Sequence, residues 1–310
     1  MKTILITGIG GDIAQSIATI IRGEHTKVQL IGVDMDLKHA GYLFVDKFFQ
    51  VPSATKKNYL DSIREIITNH SVDLIIPTNE KELSVFSPLI SELGENRCIT
   101  AGLKVINIGL DKLKTNDFIA SLGCPVPWTV IAKKNVTLKF PCIFKAQTGS
   151  GSKNIFNVVN QEEATFLIKK FPNSIFQELL EPEEQEVTCA VYRSRDGRVA
   201  VLQLLRKLTG GLTGWCSVIN NSEVLEICKI VAKNIDLQGS MNIQLRITKS
   251  GPRIFEINPR FSSTVLMRHR LGFCDLLWTL SEARGLPVNF PTIKTGQCMV
   301  RVQDAKKLIN

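Results

Sequence analysis

A chain of 310 residues with 44% hydrophobic and 22% charged side chains is long enough to bury one large core or two to three ordinary ones. The formal charge of +9 favours anionic partners, but its lysines and arginines are dispersed, without the basic block or interleaved aromatics of a base-stacking surface, which argues against nucleic acid. No stretch reaches the roughly 18 consecutive apolar residues of a membrane span, and residues 1–3 run into the strand-like ILIT rather than a signal-peptide core, so a cytoplasmic protein without a membrane partner is expected.

In chain order, KTILITG and VQLIGVD read as strands with DIAQSIATIIRG as the helix between them, and YLDSIREIITNH reads as a helix leading into the buried strand VDLIIPT. Strand–helix–strand alternation predicts an open, doubly wound parallel sheet up to about residue 110. CITAGL offers one more strand, and DKLKTNDFIASLG starts a new helix that Gly123 closes before the extended CPVPWTV. Beyond it the strands lengthen: FPCIFKA, SIFQELL, EVTCAVYRS and RVAVLQLLR, the last two joined around Asp196-Gly197, a hairpin signal. The helix SEVLEICKIVAKNI then precedes a second hairpin, so the second half reads as α+β. The eight cysteines and four histidines are scattered, with no C-x-x-C, which predicts buried reduced thiols and argues against His/Cys metal ligation and a Cys-His nucleophile.

The opening TGIGG turn, with Asp34 at the end of the second strand, raises an NAD(P)-dependent oxidoreductase or epimerase. A short-chain dehydrogenase or epimerase needs Tyr-x-x-x-Lys, yet Tyr42, Tyr59 and Tyr192 are followed four residues on by Asp46, Ile63 and Asp196. These three positions leave that class as a remaining alternative only.

The hairpin MNIQLRITKSGPRIFEINPR carries more information. With its turn centred at Ser250, Gln244 faces Glu256 and Asn242 faces Asn258, and strand alternation puts all four on one face. Ile243, Leu245, Ile247, Phe255 and Ile257 take the other. A carboxylate among amide oxygens suits a hard cation such as Mg²⁺ that keeps waters and nucleotide phosphates, and Arg260 beyond Pro259 places a cation at the same end for a phosphate oxygen. An ordinary half-exposed hairpin with polar residues outward accounts for the same alternation.

Upstream, FKAQTGSGSKNIF sets Lys145 in a strand before the loop Gly149-Ser150-Gly151-Ser152, whose backbone amides and hydroxyls can approach phosphate oxygens. It is not a Walker A loop, and a plain turn explains it equally. Glu178 ends a strand; Glu181, Glu183 and Glu184 read as a solvated acidic loop, and Glu186, opening the next strand, is the better candidate for accepting a ribose hydroxyl.

Taken together, Lys112 in DKLKTNDF, Lys145 before QTGSGSKNI, FQELLEPEEQEVT, RKLTGGLTG and MNIQL…FEINPRFSST resemble the ATP-grasp superfamily, in its carbamoyl-phosphate-synthetase-like and biotin-carboxylase-like branch. The resemblance implies an α/β pre-ATP-grasp domain, Rossmann-like with an open parallel sheet, over residues 1–110 and an α+β ATP-grasp domain over 111–310. Within the latter it implies a mobile lid subdomain at about 115–180 and a metal and substrate subdomain at about 181–310. It also implies ATP phosphates on Lys112, Lys145 and the loop with Ser150, Gly151 and Ser152, adenine near Glu178 and the Leu180 backbone, and ribose on Glu186. Gln244, Glu256 and Asn258 would ligate two Mg²⁺, with Mn²⁺ as a substitute, while Arg260 and Arg206 would act as catalytic groups on the transferring phosphoryl. The implied activity joins a small-molecule carboxylic acid to an amine through an acyl-phosphate, releasing ADP and phosphate. A non-catalytic ATP-binding regulator on the same fold is the alternative, and a homodimer is compatible with either. Carbamoyl-phosphate synthetases need two grasp units where this chain has one, and the tail after residue 288 is shorter than a biotin carboxylase's C-terminal domain. Residues 208–215 and 263–270 are candidate substrate segments that follow no readable substrate code; Arg268 or Arg270 could bind a substrate carboxylate, and a solvated or phosphate-facing arginine accounts for either equally.

Overall fold

The computed structural model describes residues 1–94, 96–149 and 154–306. Strands β1 (Thr3–Thr7), β2 (Gln29–Asp34), β3 (Lys47–Gln50) and β4 (Leu74–Ile76) form a parallel sheet in the order β3-β2-β1-β4. A parallel sheet is covered on both faces, and all five residues of β1 are buried. Ile4 and Ile6 face one core with Ile17 and Ile21 of α1 (Asp12–Glu24). Leu5 and Ile31 face the other, with Ile63 of α2 (Tyr59–Asn69), Leu83 of α3 (Glu80–Val85) and Leu89 of α4 (Ser87–Leu93). CITAGL contributes only the single bridge Ile75–Cys98 rather than a strand, and α5 (Leu103–Gly109) follows it.

Helix α6 (Lys112–Ser121) leads into a small antiparallel sheet of β5 (Thr129–Ile131), β6 (Cys142–Ala146), β7 (Phe156–Val158) and β8 (Ser174–Glu178), with α7 (Gln161–Lys170) across it. Its order is β5-β8-β6-β7, and Cys142, Phe144, Val158, Leu167 and Phe176 give it a core of its own.

The large antiparallel sheet contains β9 (Glu186–Arg193), β10 (Val199–Thr209), β11 (Leu212–Ile219), β12 (Gly239–Thr248), β13 (Gly251–Asn258) and β14 (Cys298–Val300) in the order β13-β12-β9-β10-β11-β14. Val187, Cys189 and Val191 of β9 join Ile243, Leu245 and Ile257 and the buried side of α8 (Ser222–Asn234) in one core. Ile119 of α6 belongs to this core, so α6 is anchored to the large sheet rather than to the small one. The alternate residues Ala190 and Tyr192 pack on the opposite face with Met267 of α9 (Val265–Arg270) and Trp278 of α10 (Asp275–Glu282). Gly109 at the end of α5 lies so close to β13 that a Cβ there would stand 3.0 Å from Pro259 Cδ, which brings the parallel-sheet domain against the end of the hairpin.

All eight cysteines are free, six of them buried, while Cys298 is exposed. Among the described residues no helix is long and apolar enough to cross a membrane.

Candidate nucleotide and metal site

The β12–β13 ladder pairs Asn242 with Asn258 and Gln244 with Glu256, as the alternation of the sequence predicts. The register then shifts: Leu245 faces Ile254, leaving Phe255 as a bulge. The shift corrects one expectation. Ile254 takes the core position assigned to Phe255, and the Phe255 ring instead lies 5.5 Å from the Lys145 ammonium. Asn242 is fully buried, accepting a hydrogen bond from Thr188 Oγ1 at 3.0 Å, and its amide nitrogen has no partner among the described residues.

Both sequence-flagged lysines come to this hairpin. Lys145, on β6, is 6% exposed, and desolvation pulls its ammonium down to about 8, against a partial counterweight from Glu256. Lys112 opens α6; its Nζ donates to the Gly149 carbonyl at 2.6 Å and stands 3.9 Å from Glu256 Oε1. Asp111 holds this arrangement. One carboxylate oxygen caps α6 through the amides of Leu113 and Lys114, and the other accepts Gln147 Nε2 at 2.8 Å, tying the helix to the end of β6. Ser150, Gly151 and Ser152 lie outside the described residues.

Glu186 sits between two arginines. Arg206 donates to its Oε1 at 2.9 and 2.6 Å, and Arg246 donates to its Oε2 at 2.7 Å. Two carboxylate oxygens offer about four acceptor sites, so one remains for a ribose hydroxyl. Arg206 also donates to Gln244 Oε1 at 2.9 Å, linking Glu186 to the hairpin, while Arg246 holds the Leu180 carbonyl at 2.6 Å. Glu178 accepts from Arg253 at 2.8 Å and from the Trp128 amide at 3.2 Å. Arg246 and Arg253 are absent from the sequence-based set, although Arg246 lies two residues beyond Gln244 on the same face. They are directly opposed across the ladder, where like charges repel, and each is neutralised by one of the two expected nucleotide glutamates.

At the far end Arg260 NH2 reaches Glu80 Oε1 of the parallel-sheet domain at 3.1 Å, and its NH1 donates to the Phe261 carbonyl. The two arginines of 263–270 divide. Arg268 is fully buried, with Nε 3.0 Å from Asp275 Oδ1 and NH2 2.6 Å from Oδ2, so it braces α9 against α10 instead of reaching a substrate; Arg270 is exposed. Residues 208–215 form a tight hairpin tip, with Gly210 and Gly211 both at positive φ (58° and 80°) as a two-residue turn of this kind requires.

The opening glycine turn is filled by the protein's own side chains. The Gly10 amide, which a pyrophosphate would need, donates to Asp34 Oδ2 at 2.9 Å, and a Cβ on Gly10 would meet the His39 ring at 2.9 Å. Beneath it, buried Glu82 accepts from Thr7 Oγ1 and from Tyr59 OH, and burial holds its carboxyl above the usual range.

Among the described residues no three His, Cys, Asp or Glu side chains cluster as a metal site. The donor set of Gln244, Glu256 and Asn258 nevertheless fits Mg²⁺: one carboxylate and two amide oxygens, all hard, with Gln244 facing Glu256 and Asn258 two residues further along the same strand. So sparse a set leaves coordination positions for water and phosphate oxygens.

The ATP-grasp domain family matches residues 110–264, and the PylC-like N-terminal domain family matches residues 4–100. A carbamoyl-phosphate synthase from Methanobrevibacter smithii is 22% identical over 244 residues, which take in 71% of this chain and 64% of that protein, so the chain spans less than two thirds of this relative. The solved ADP complex of an N5-carboxyaminoimidazole ribonucleotide synthetase superposes with a TM-score of 0.78 at 17% identity, covering 96% of this chain and 81% of the other. An L-amino acid ligase from Bacillus licheniformis superposes at 0.73 with 15% identity, over 91% and 74% of the two chains. The domain match takes in half of the sequence and the structural likeness nearly all of it: the chain belongs to the ATP-grasp family.

Proposed function

We propose that the protein is an ATP-dependent carboxylate–amine ligase, with residues 1–110 and 111–310 as its two domains and a small acid and an amine as its reactants. One observation carries the reading: Lys145, Lys112 and the Glu256 carboxylate converge on a ladder that also presents Gln244 and Asn258, with Arg260 at its end. A regulator that only bound nucleotide would tolerate loss of parts of this set, and every described part is in place. The oxidoreductase reading has no support left, because Asp34 and His39 occupy the glycine turn.

A carboxylate is a poor electrophile because its leaving group would be oxide. Attack of a carboxylate oxygen on the γ-phosphorus of ATP forms an acyl-phosphate while the bond to the β–γ bridging oxygen breaks and ADP departs with its electron pair. Lys112 and Lys145 hold phosphate oxygens, and Arg260 holds the acid beside them. Glu186 accepts a ribose hydroxyl, the segment from Glu178 to Leu180 lines the adenine, and Arg246 fixes both by its two hydrogen bonds. Gln244, Glu256 and Asn258 would hold Mg²⁺, which when bound offsets phosphate charge. An amine then attacks the carbonyl carbon; the C–N bond forms, phosphate leaves with the C–O electron pair, and the amine proton passes to solvent.

Incubation with MgATP, pooled carboxylic acids and hydroxylamine should release ADP and accumulate a hydroxamate. Nucleotide binding without acid-stimulated ADP release from a broad pool would overturn the ligase reading in favour of a regulator.

A further inference from the structure

Arg301 follows β14 directly and ties three distant segments together. Pairing of β14 with Trp215, Cys216 and Ser217 sets its register, and the Arg301 amide donates to the Gly214 carbonyl at 2.8 Å. Each guanidinium nitrogen then goes to a different element. Nε donates to the Thr213 carbonyl at the β10–β11 tip at 3.0 Å, NH1 to Asp12 Oδ1 in the first turn of α1 at 2.5 Å, and NH2 to the Ser263 carbonyl, just beyond Arg260, at 2.5 Å. Asp12 belongs to the parallel-sheet domain and the other two to the second, so one side chain joins the domains. Arg206 pairs with Cys216, and past the extra residue Gly214, where any Cβ would collide with Thr209, Leu208 pairs with Thr213. Alternation therefore puts Thr213 on the sheet face from which Arg206 reaches Gln244.

The nucleotide side of the site has braces of its own. Arg246 holds Glu186 and the Leu180 carbonyl, Arg253 holds Glu178, and Asp111 fixes the start of α6; none of these hydrogen bonds involves Arg301 or its three partners. The β10–β11 tip turns on two glycines at positive φ and ends in the Gly214 bulge, so it needs a fixed point from outside, and Arg301 supplies it. The junction contributes little to stability for so many contacts. Burial pushes the Asp12 carboxyl above its usual range even with the guanidinium beside it, so desolvation offsets the attraction. Asp12 Oδ2 and the hydroxyl of the fully buried Thr213 are also left without partners among the described residues, an unfavourable arrangement for a contact that only held the fold together. We propose that Arg301 is a positioning residue for the acid side of the site: by pinning the β10–β11 tip and the Ser263 segment to the first turn of α1, it sets the wall against which the acid is held and leaves the nucleotide side untouched. The proposal rests on the ligase reading, because the wall holds a reactant of that reaction.

The test separates the two sides of the site. An acid that wild type turns over in the hydroxylamine trap is assayed with Arg301→Met, which keeps the stem and removes every donor, and MgATP affinity is measured on the same protein by equilibrium titration. kcat/KM for the acid should fall about 30-fold or more, because the wall is displaced, while the Kd for MgATP stays within about twofold of wild type. Arg301→Lys, whose ammonium cannot span all three acceptors, and Asp12→Asn should show the same split to a smaller degree, and they carry the comparison if Arg301→Met does not fold. Combining Asp12→Asn with Arg301→Met should add little to Arg301→Met alone, since both act on one junction. A kcat/KM for the acid within about threefold of wild type in all of these proteins would overturn the proposal and leave the ligase reading standing. So would a loss of MgATP affinity in the same ratio as the loss in kcat/KM, the behaviour of a contact that merely holds the fold. Absence of ADP release by wild type with any acid would overturn the ligase reading itself, and this proposal with it.

Discussion

Lys145 makes the proposed chemistry sensitive to pH in a way that can be calculated. Burial brings its ammonium from 10.5 down to about 8, so in the free protein about nine tenths of it is charged at pH 7 and about one tenth at pH 9. Only the charged form draws in a phosphate oxygen. kcat/KM for MgATP should therefore fall about tenfold between pH 7 and pH 9, whereas kcat should fall less, because bound phosphates favour the charged lysine. The assay is initial ADP release at subsaturating and saturating MgATP, with saturating acid and amine, at fixed ionic strength. Lys145→Arg keeps its charge throughout this range and should lose the alkaline decline whatever its absolute rate. The stability sign is opposite. A lysine held below its unfolded value destabilises the fold while charged, and that penalty fades between about pH 8 and 10.5. Buried thiols such as Cys142 and Cys216, both pushed up to about 11, pull stability down over the same range. The comparison must therefore be relative: the stability advantage of Lys145→Met over wild type should shrink as pH rises from 8 to 10. A wild-type kcat/KM that stays level to pH 9.5, with Lys145→Arg indistinguishable from it, would refute the placement of Lys145 on a phosphate.

Two further outcomes are expected. Glu256→Gln should lower ADP release by at least about 100-fold at saturating MgATP while the thermal midpoint stays within a few degrees, and unchanged turnover would remove the hairpin from the site. Asp275→Ala should cost about 3–5 kcal/mol in urea unfolding, because it strands the fully buried Arg268 charge, and a loss below about 1 kcal/mol would show that the pair does not brace α9 against α10.

What could be read in advance was what alternation controls. The facing pairs Asn242–Asn258 and Gln244–Glu256 follow from counting outward from a turn, and Lys145 followed from a short strand ending in glycines. What could not be read depends on distant partners. Glu80 and Arg260 are separated by 180 positions, and Asp12, at the first turn of α1, meets Arg301 across nearly the whole chain. The role of Arg268 was open in the sequence, between a substrate ligand and a solvated or phosphate-facing cation, and only the packing of α10 reveals that Asp275 claims it. The strand β14 escaped notice because three residues carry too short an alternation to register, and its place depends on pairing with Trp215 to Ser217. The glycine turn posed the opposite problem: its sequence suits a dinucleotide, and the groups that close it, Asp34 and His39, are 24 and 29 residues further on.

The surplus residue at Phe255 has a consequence for anyone altering or transplanting this site. Between the hairpin turn and the bulge, one register seats Ile254 and Leu245 in the core; beyond it another seats Ile257 there, with Glu256 and Asn258 at the alternate positions. Without that residue the pairs Leu245–Ile254 and Gln244–Glu256 would follow each other in unbroken alternation, so deleting Phe255 should keep Glu256 and Asn258 on their present face and remove only the ring beside Lys145. A deletion scan of β13 should accordingly tolerate loss of Phe255 better than loss of Ile257, which would turn Asn258 toward the hydrophobic side.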